Sequence, residues 1–174
     1  MQKHNANRSL IAVATILMLA IELPSSLGRN PKDDALTIIP GGGVKGCQIG
    51  ASIEDAHKVF GKPSSKKDLY VDFDDRGFGT AIDDGKINAM FFYFRSRTKK
   101  QFSGSTDKGV GKDSSIEDVI KQYGIPGRTF KSVVSEFGEE PGAVDDTLSY
   151  SKLGVHFTFY DKKLAFIVVN GKRE

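Results

Sequence analysis

Few side chains in this sequence could carry out chemistry. Cys47 is the only cysteine, and His57 and His156 are the only histidines beyond the N-terminal segment. A catalytic thiol needs a base beside it, and a zinc site needs three or four ligands at a recognisable spacing. Neither pattern is present, so we predict no catalytic residue, no metal site and no cofactor. One alternative stays open: a pocket near Cys47 and His57 that holds a small molecule or cell-envelope glycan, or belongs to a degenerate enzyme.

Two other segments partly match ligand-binding loops. Residues 41–46 (GGGVKG) are glycine-rich but lack the Gly-Lys-Ser/Thr order of a phosphate loop, so we interpret them as a turn. Residues 72–77 (DFDDRG) space carboxylates as a calcium loop does. However, Arg76 stands at a ligand position, and the segment is typical of strand–turn–strand rather than helix–loop–helix.

The N-terminal residues have the features of a secretory signal. Lys3 and Arg8 precede an apolar stretch of 12 residues, 10–21, and small residues follow at 26–28. That stretch is too short to span a bilayer, and no later stretch is long enough. We therefore predict a cleaved signal peptide at 1–28 and a secreted or periplasmic protein with no integral membrane span, with an uncleaved N-terminal anchor as the alternative.

The charge of the mature chain argues against nucleic-acid binding. Removing residues 1–28 lowers Lys+Arg from 25 to 23 and Asp+Glu from 22 to 21, which leaves a formal net charge of +2. A local basic run at 95–100 (RSRTKK) is predicted to be a solvated connector, with contact to a membrane surface or an acidic partner as the alternative. A single cysteine forms no intrachain disulfide, so the hydrophobic core must stabilise the fold.

Two stretches of the chain are similar to each other. Residues 53–63 (IEDAHKVFGKP) and 116–126 (IEDVIKQYGIP) are identical at 6 of 11 positions. Ser52 and Ser115 precede them as N-caps, and a glycine followed by a proline ends each one. Apolar residues at helical spacing predict one buried stripe on each helix: Ile53, Ala56, Val59 and Phe60, and Ile116, Val119, Ile120 and Tyr123.

The residues after each predicted helix indicate a hairpin. Residues 76–93 align without a gap to 153–170, with Asp84-Gly85 and Asp161-Lys162 at the two turns. A strand precedes each hairpin, at 69–74 and at 147–151. We therefore predict an α+β fold of two tandem helix–three-strand antiparallel repeats, with the helices packed on one face of the sheet. The predicted boundaries are a leader or linker with a possible short strand at 29–48, repeat 1 at 49–100 and repeat 2 at 101–174.

Regular alternation from each turn assigns side chains to two faces. Ile82 is then opposite Ile87 and Phe78 opposite Phe91, and this apolar set is predicted to lie under the helices. The opposite face is predicted to be open and mixed in character, with Tyr70, Asp72, Asp74, Gly79, Ala81, Asn88, Met90, Phe92 and Phe94, and then Ser149, Ser151, His156, Thr158, Tyr160, Ala165, Ile167 and Val169.

The segments 49–55 (IGASIED), 60–63 (FGKP), 115–118 (SIED) and 123–126 (YGIP) resemble the repeat of the beta-lactamase inhibitory protein family. They are also similar to the SmpA/OmlA (BamE-like) outer-membrane assembly lipoproteins. The resemblance to the inhibitor family implies a concave sheet face that grips a target protein. This chain departs from that family in having one cysteine and no tryptophan, and from the lipoproteins in lacking an acylated cysteine after the signal.

These observations predict an exported, non-enzymatic binding module whose partner is another exported or envelope protein. The predicted contact residues share the open face: Tyr70, Met90, Phe92, Phe94, His156, Thr158, Tyr160 and Ile167. Two alternatives are that the leader, the basic connector or a second subunit covers this face, and that it is simply exposed to solvent.

Overall fold

A computed structural model describes residues 36–136 and 138–172. The predicted signal peptide lies outside the described residues. Within them the chain is mostly β. The strands are β1 (Thr37–Ile39), β2 (Gly43–Val44), β3 (Cys47–Gln48), β4 (Ser65–Lys67), β5 (Tyr70–Phe73), β6 (Phe78–Asp83), β7 (Lys86–Tyr93), β8 (Ser105–Thr106), β9 (Arg128–Val133), β10 (Val144–Tyr150), β11 (Val155–Tyr160) and β12 (Lys163–Asn170), and the helices are α1 (Ile53–Phe60) and α2 (Ile116–Tyr123).

The predicted fold class is wrong. The strands form one eight-stranded antiparallel sheet in the order β4-β5-β6-β7-β12-β11-β10-β9 and a small four-stranded sheet in the order β3-β2-β1-β8. Each half of the large sheet is a four-stranded meander rather than a three-stranded one. The extra strands, β4 and β9, are fully exposed and carry no apolar alternation, so periodicity could not distinguish them from connectors.

The two halves join through their last strands. β7 pairs with β12 so that Phe91 is opposite Val168, while Phe92 is opposite Ile167 and Met90 is opposite Val169. In the last three strands of each half, positions 77 residues apart, such as 91 and 168, are therefore equivalent about an approximate two-fold axis through the Phe91–Val168 pair. This pairing makes one continuous sheet of both halves.

Both helices begin at the predicted serines. The Ser52 hydroxyl accepts a hydrogen bond from the Asp55 N–H at 3.1 Å, and the Ser115 hydroxyl accepts one from the Asp118 N–H at 3.1 Å. These caps satisfy backbone donors that have no partner in the first helical turn. Both helices cover the same face of the large sheet, which we call the inner face. Val59 and Ile120, predicted for the buried stripes, are instead exposed.

Each long hairpin contains a β-bulge at an equivalent place. Ile82 is opposite Ile87, but the next pair is Ala81 with Ala89, so Asn88 is the extra residue. In the second half Phe159 is opposite Leu164 and Thr158 is opposite Phe166, which makes Ala165 the extra residue. A bulge residue reverses the alternation of every side chain beyond it. The faces of β7 and β12 past the bulges are therefore opposite to those predicted from the turns.

The small sheet is built mainly from the segment predicted as a leader. The possible strand at 37–39 is confirmed as β1, which pairs with β2 and, in parallel, with β8. Ile38 and Val44 from this sheet belong to the main hydrophobic core. No helix in the described ranges combines the length and apolar character needed to cross a membrane.

Candidate functional site

The sheet face away from the helices, called here the outer face, carries the side chains that remain candidates for binding. One row of cross-strand neighbours traverses all eight strands. In order, its members are Ser65, Asp72, Gly79, Phe91, Val168, His156, Ser149 and Arg128. The middle of the row is apolar and its two ends are polar.

Four of the eight predicted contact residues do lie on the outer face. Tyr70 is 55% exposed and His156 is half-buried, whereas Thr158 and Tyr160 are buried. Thr158 is opposite Phe166 and Thr147, so it lies two places along β11 from His156 on the same face. Whether these residues bind a partner stays a prediction.

The other four predicted contact residues are core residues, so their predicted exposure is wrong. Met90, Phe92, Phe94 and Ile167 are at most 1% exposed. Phe92 packs against Phe78 and Phe102, with ring centroids 5.8 and 4.9 Å away. The physical reason is the pair of bulges, because the extra residues Asn88 and Ala165 turn these side chains to the inner face. Val169, also predicted to be open, is buried for the same reason.

Two polar connectors cover one end of the outer face. The Arg95 guanidinium forms an ion pair with Glu140 and donates a hydrogen bond to the Tyr160 carbonyl oxygen at 2.7 Å. The Arg97 N–H donates to the Glu139 carboxylate at 3.0 Å. The basic run at 95–100 therefore docks on the acidic loop at 138–140. Beside this contact, the Tyr160 side chain is buried in a small apolar cluster with Ala143 and Ala165.

Lys99 anchors the same connector farther along the face. Its ammonium lies 3.0 Å from Asp72 and 2.8 Å from Asp74, and 5.4 Å from the centre of the Tyr93 ring. Burial disfavours the charged ammonium, but the two carboxylates outweigh it and raise the pKa of Lys99. Burial also raises the pKa of Tyr93 and of Tyr160. Lys99 is therefore positively charged at neutral pH, and the Tyr93 and Tyr160 hydroxyls stay protonated and do not act as bases.

The rest of the outer face forms what we call the open patch. Its centre is apolar, since the Tyr70 and Phe91 rings lie 6.3 Å apart. Two small side chains, Ala81 and Ala89, are opposite each other beside them, and Asn170 follows Ala89 in the same row. The open patch consists of Tyr70, Ala81, Ala89, Phe91, His156 and Val168; all but Tyr70 are half-buried.

Sequence reasoning assigned Phe91 and Val168 to the core and so missed the centre of the open patch. A possible signal was Asn88, a polar residue at the start of an otherwise apolar stretch, which is the extra residue of the bulge.

The equivalent positions Gly79 and His156 on the outer face differ in side-chain size for a steric reason. A Cβ atom on Gly79 would lie 2.5 Å from the Asp72 carboxylate, so the larger Asp72 side chain occupies that space in the first half.

Cys47 and His57 do not form a reactive pair. Cys47 is 3% exposed within the main core. Burial, and secondarily the Asp55 carboxylate, raise the pKa of the Cys47 thiol, so it is protonated at neutral pH and inert. The His57 ring packs edge-on against Phe73, and its Nε2 atom is buried without a hydrogen-bond partner among the described residues. The packing of Cys47 in the core disfavours the alternative interpretation of a pocket near these two residues.

We expect the native protein to resist thiol labelling. A maleimide should modify Cys47 at least about 100-fold more slowly in the folded protein than in urea, because a buried thiol reacts only when the structure opens. A Lys66→Cys variant supplies the control, since that position is exposed. If Cys47 reacted as fast as the cysteine introduced at position 66, the thiol would be accessible to solvent, which would contradict its burial in the core.

The carboxylate-rich segment at 72–77 is occupied by other contacts. Asp74 begins a short 3-10 turn, and its carboxylate is paired with Lys99. Among the described residues, no group of three or more histidine, cysteine, aspartate or glutamate side chains is arranged to hold a metal ion.

Two grooves lie at equivalent positions beside the ends of the helices. The groove beside α1 has a volume of about 370 Å³ and is largely polar, lined by Phe60, Lys62, Ser64, Phe73, Asp75, Arg76 and Lys100. The groove beside α2 has a volume of about 650 Å³ and is more apolar, lined by Tyr123, Ile125, Gly127, Arg128, Tyr150, Ser151, Lys152 and Leu153.

Comparisons with known proteins give a sparse result. No protein-family model matches the chain, and no curated protein is significantly similar to it. Among solved structures, the chain is similar to the crystal structure of a DUF4309 family protein (YjgB) from Bacillus subtilis. The two are 17% identical, with a TM-score of 0.47, over 81% of this chain and 95% of that one.

Proposed function

We propose that this protein is an exported, non-enzymatic binding module that contacts another exported or envelope protein through the open patch. The observation that carries the proposal is the contrast within the outer face. The chain's own connectors dock at Tyr160, yet leave Tyr70 55% exposed beside Phe91. An aromatic platform next to small side chains and bordered by polar ones suits protein contact.

The docked connectors support the same proposal. Arg95 and Lys99 are held by Glu140, Asp72 and Asp74, so two of the four cations of the basic run are paired within the chain. Contact of that run with a membrane surface or an acidic partner is correspondingly disfavoured. The connectors also fix one border of the open patch, which reduces the ordering that a partner would have to impose on binding.

Photo-crosslinking from the open patch tests the proposal. A benzoylphenylalanine at position 70, expressed in the protein's own host, should give a discrete adduct with a second exported protein. Position 66 is the matched control, because Lys66 is exposed on the neighbouring strand but is opposite Val71, on the inner face. An adduct from position 70 that is absent from position 66 supports the open patch.

A substitution completes the experiment. Tyr70→Ala should weaken recovery of the crosslinked partner at least about tenfold, since exposed aromatic anchors carry much of the binding energy of an interface. No adduct at position 70, equal adducts at both positions, or full recovery with Tyr70→Ala would each overturn the proposal.

A further inference from the structure

The two edges of the eight-stranded sheet are protected to different degrees. β4 forms one edge with the sequence Ser-Lys-Lys, and lysines on an edge strand discourage pairing with another chain. β9 forms the other edge, is twice as long, and all six of its residues are exposed. It presents Phe130 at 55% exposure and Val133 at 66%. An exposed edge with large apolar side chains is a template for strand addition.

Further apolar surface lies at the start of β9. Ile125 is 90% exposed and Leu153 is 38% exposed, and both line the groove of about 650 Å³ beside α2. Gly127 and Arg128 line the same groove, so it opens directly onto the edge strand. An open backbone edge and an apolar groove are thus adjacent.

We propose that β9 is a homodimer interface, in which the β9 strands of two copies pair antiparallel about a two-fold axis at Phe130. In this register Phe130 is opposite Phe130 of the second copy, and Lys131 is opposite Thr129. Arg128 is opposite Ser132, and Val133 is opposite Gly127. The Val133 side chain shares the inner face with Lys131, so it enters the groove of the second copy beside Ile125.

Like-charge repulsion and strand geometry disfavour the registers shifted toward Lys131. An axis at Lys131 would place the two Lys131 side chains opposite each other, which is unfavourable. An axis between Phe130 and Lys131 is excluded, because directly opposite residues of antiparallel strands share a face and these two side chains point to opposite faces. The axis at Phe130 separates the cations and keeps the inner faces together.

The same register provides an acidic partner for Arg128. Within one copy Ser132 is opposite Asp145 on the outer face. Arg128 of the second copy therefore points across the small Ser132 side chain toward Asp145. Arg128 has no ion-pair partner among the described residues of its own chain, whereas Lys131 already pairs with Asp146 at 3.3 Å. This complementarity favours a second copy over an unrelated acidic peptide as the occupant.

Cysteine crosslinking tests the dimer and its register in one experiment. Cys47 is buried, so a single introduced cysteine is the reactive thiol. Under mild oxidation Phe130→Cys should convert most of the mature protein into a covalent dimer, because directly opposed strand residues have the Cα separation that a disulfide needs. Lys131→Cys and Lys66→Cys should remain largely monomeric.

Sedimentation velocity provides the second readout. A contact made mainly through one six-residue edge strand is expected to be small, so we expect a dimer that dissociates at micromolar concentration. Phe130→Asp should abolish it by placing two carboxylates opposite each other, with the melting temperature unchanged because position 130 is exposed. A wild-type monomer at every concentration, or crosslinking through position 131 or 66 as efficient as through 130, would overturn the proposal. Strand addition by a different protein at β9, with no self-association, would do so as well.

Discussion

Replacing Phe92 with alanine should lower the free energy of unfolding by about 3–5 kcal/mol, the usual effect of removing a buried phenylalanine ring. Phe92 is fully buried on the inner face and contacts both Phe78 and Phe102. Its loss leaves a cavity where the two halves of the sheet join. Urea denaturation followed by circular dichroism measures the effect directly.

The neighbouring phenylalanine is the matched control. Phe91 is half-buried on the outer face, so Phe91→Ala should cost clearly less stability than Phe92→Ala. The unfolding m-value should stay the same for both variants if the native sheet is retained. The reverse order of the two effects would mean that the bulge at Asn88 is absent in solution and that regular alternation holds.

Deleting two residues, Asn88 and Ala89, should abolish cooperative folding. From the turn at Asp84-Gly85, alternation without these residues would place Met90, Phe92 and Phe94 on the outer face if Ile87 stays on the inner face. Exposing the three large side chains removes most of the core contribution of β7. Loss of the thermal unfolding transition and of dispersed amide signals in an NMR spectrum would report the outcome.

Deleting Asn88 alone should be tolerated. Ala81 is already opposite Ala89, and Thr80 opposite Met90, so removing the extra residue leaves a regular hairpin in which every other pair is kept. Asn88 is exposed, and we expect the variant to fold with a loss of stability much smaller than that of Phe92→Ala. A single deletion as damaging as the double deletion would contradict the register described for this hairpin.

The helices and turns were predictable because their signals are local. Ser52 and Ser115 cap the helices, and the turn residues 84–85 and 161–162 all have positive φ, as the hairpin turn requires. Each of these features depends on residues that are close together in the sequence. The helix starts and the hairpin turns can therefore be predicted without knowledge of the rest of the fold.

The two bulges could not be predicted in the same way. The residues 86–94 (KINAMFFYF) are compatible with either face, because nearly every position past Asn88 is apolar. The inner face is selected because Met90, Phe92 and Phe94 pack there with Phe78 and Phe102. These two residues lie outside β7, on β6 and in the connector after β7. As a result, half of the predicted contact residues proved to be core residues.

The missing strands have a related explanation. β4 and β9 carry no buried residue, so they lack the alternation by which strands are recognised. They are held by backbone pairing with β5 and β10 and by exposed polar side-chain contacts, none of which gives a periodic apolar signal. The error in fold class follows from these edges and from the small sheet, whose two- and three-residue strands are too short to give a periodic signal.

The pairing of β7 with β12 also determines how this sheet can form. Every other pair of neighbouring strands in the large sheet is consecutive in the chain, whereas Phe91 and Val168 meet across 77 residues (168 minus 91). Closing so long a loop is entropically unfavourable until the contacts it allows are made. We therefore expect the encounter of the two meanders to limit the folding rate, so that substitutions at this seam slow folding more than they speed unfolding in stopped-flow measurements.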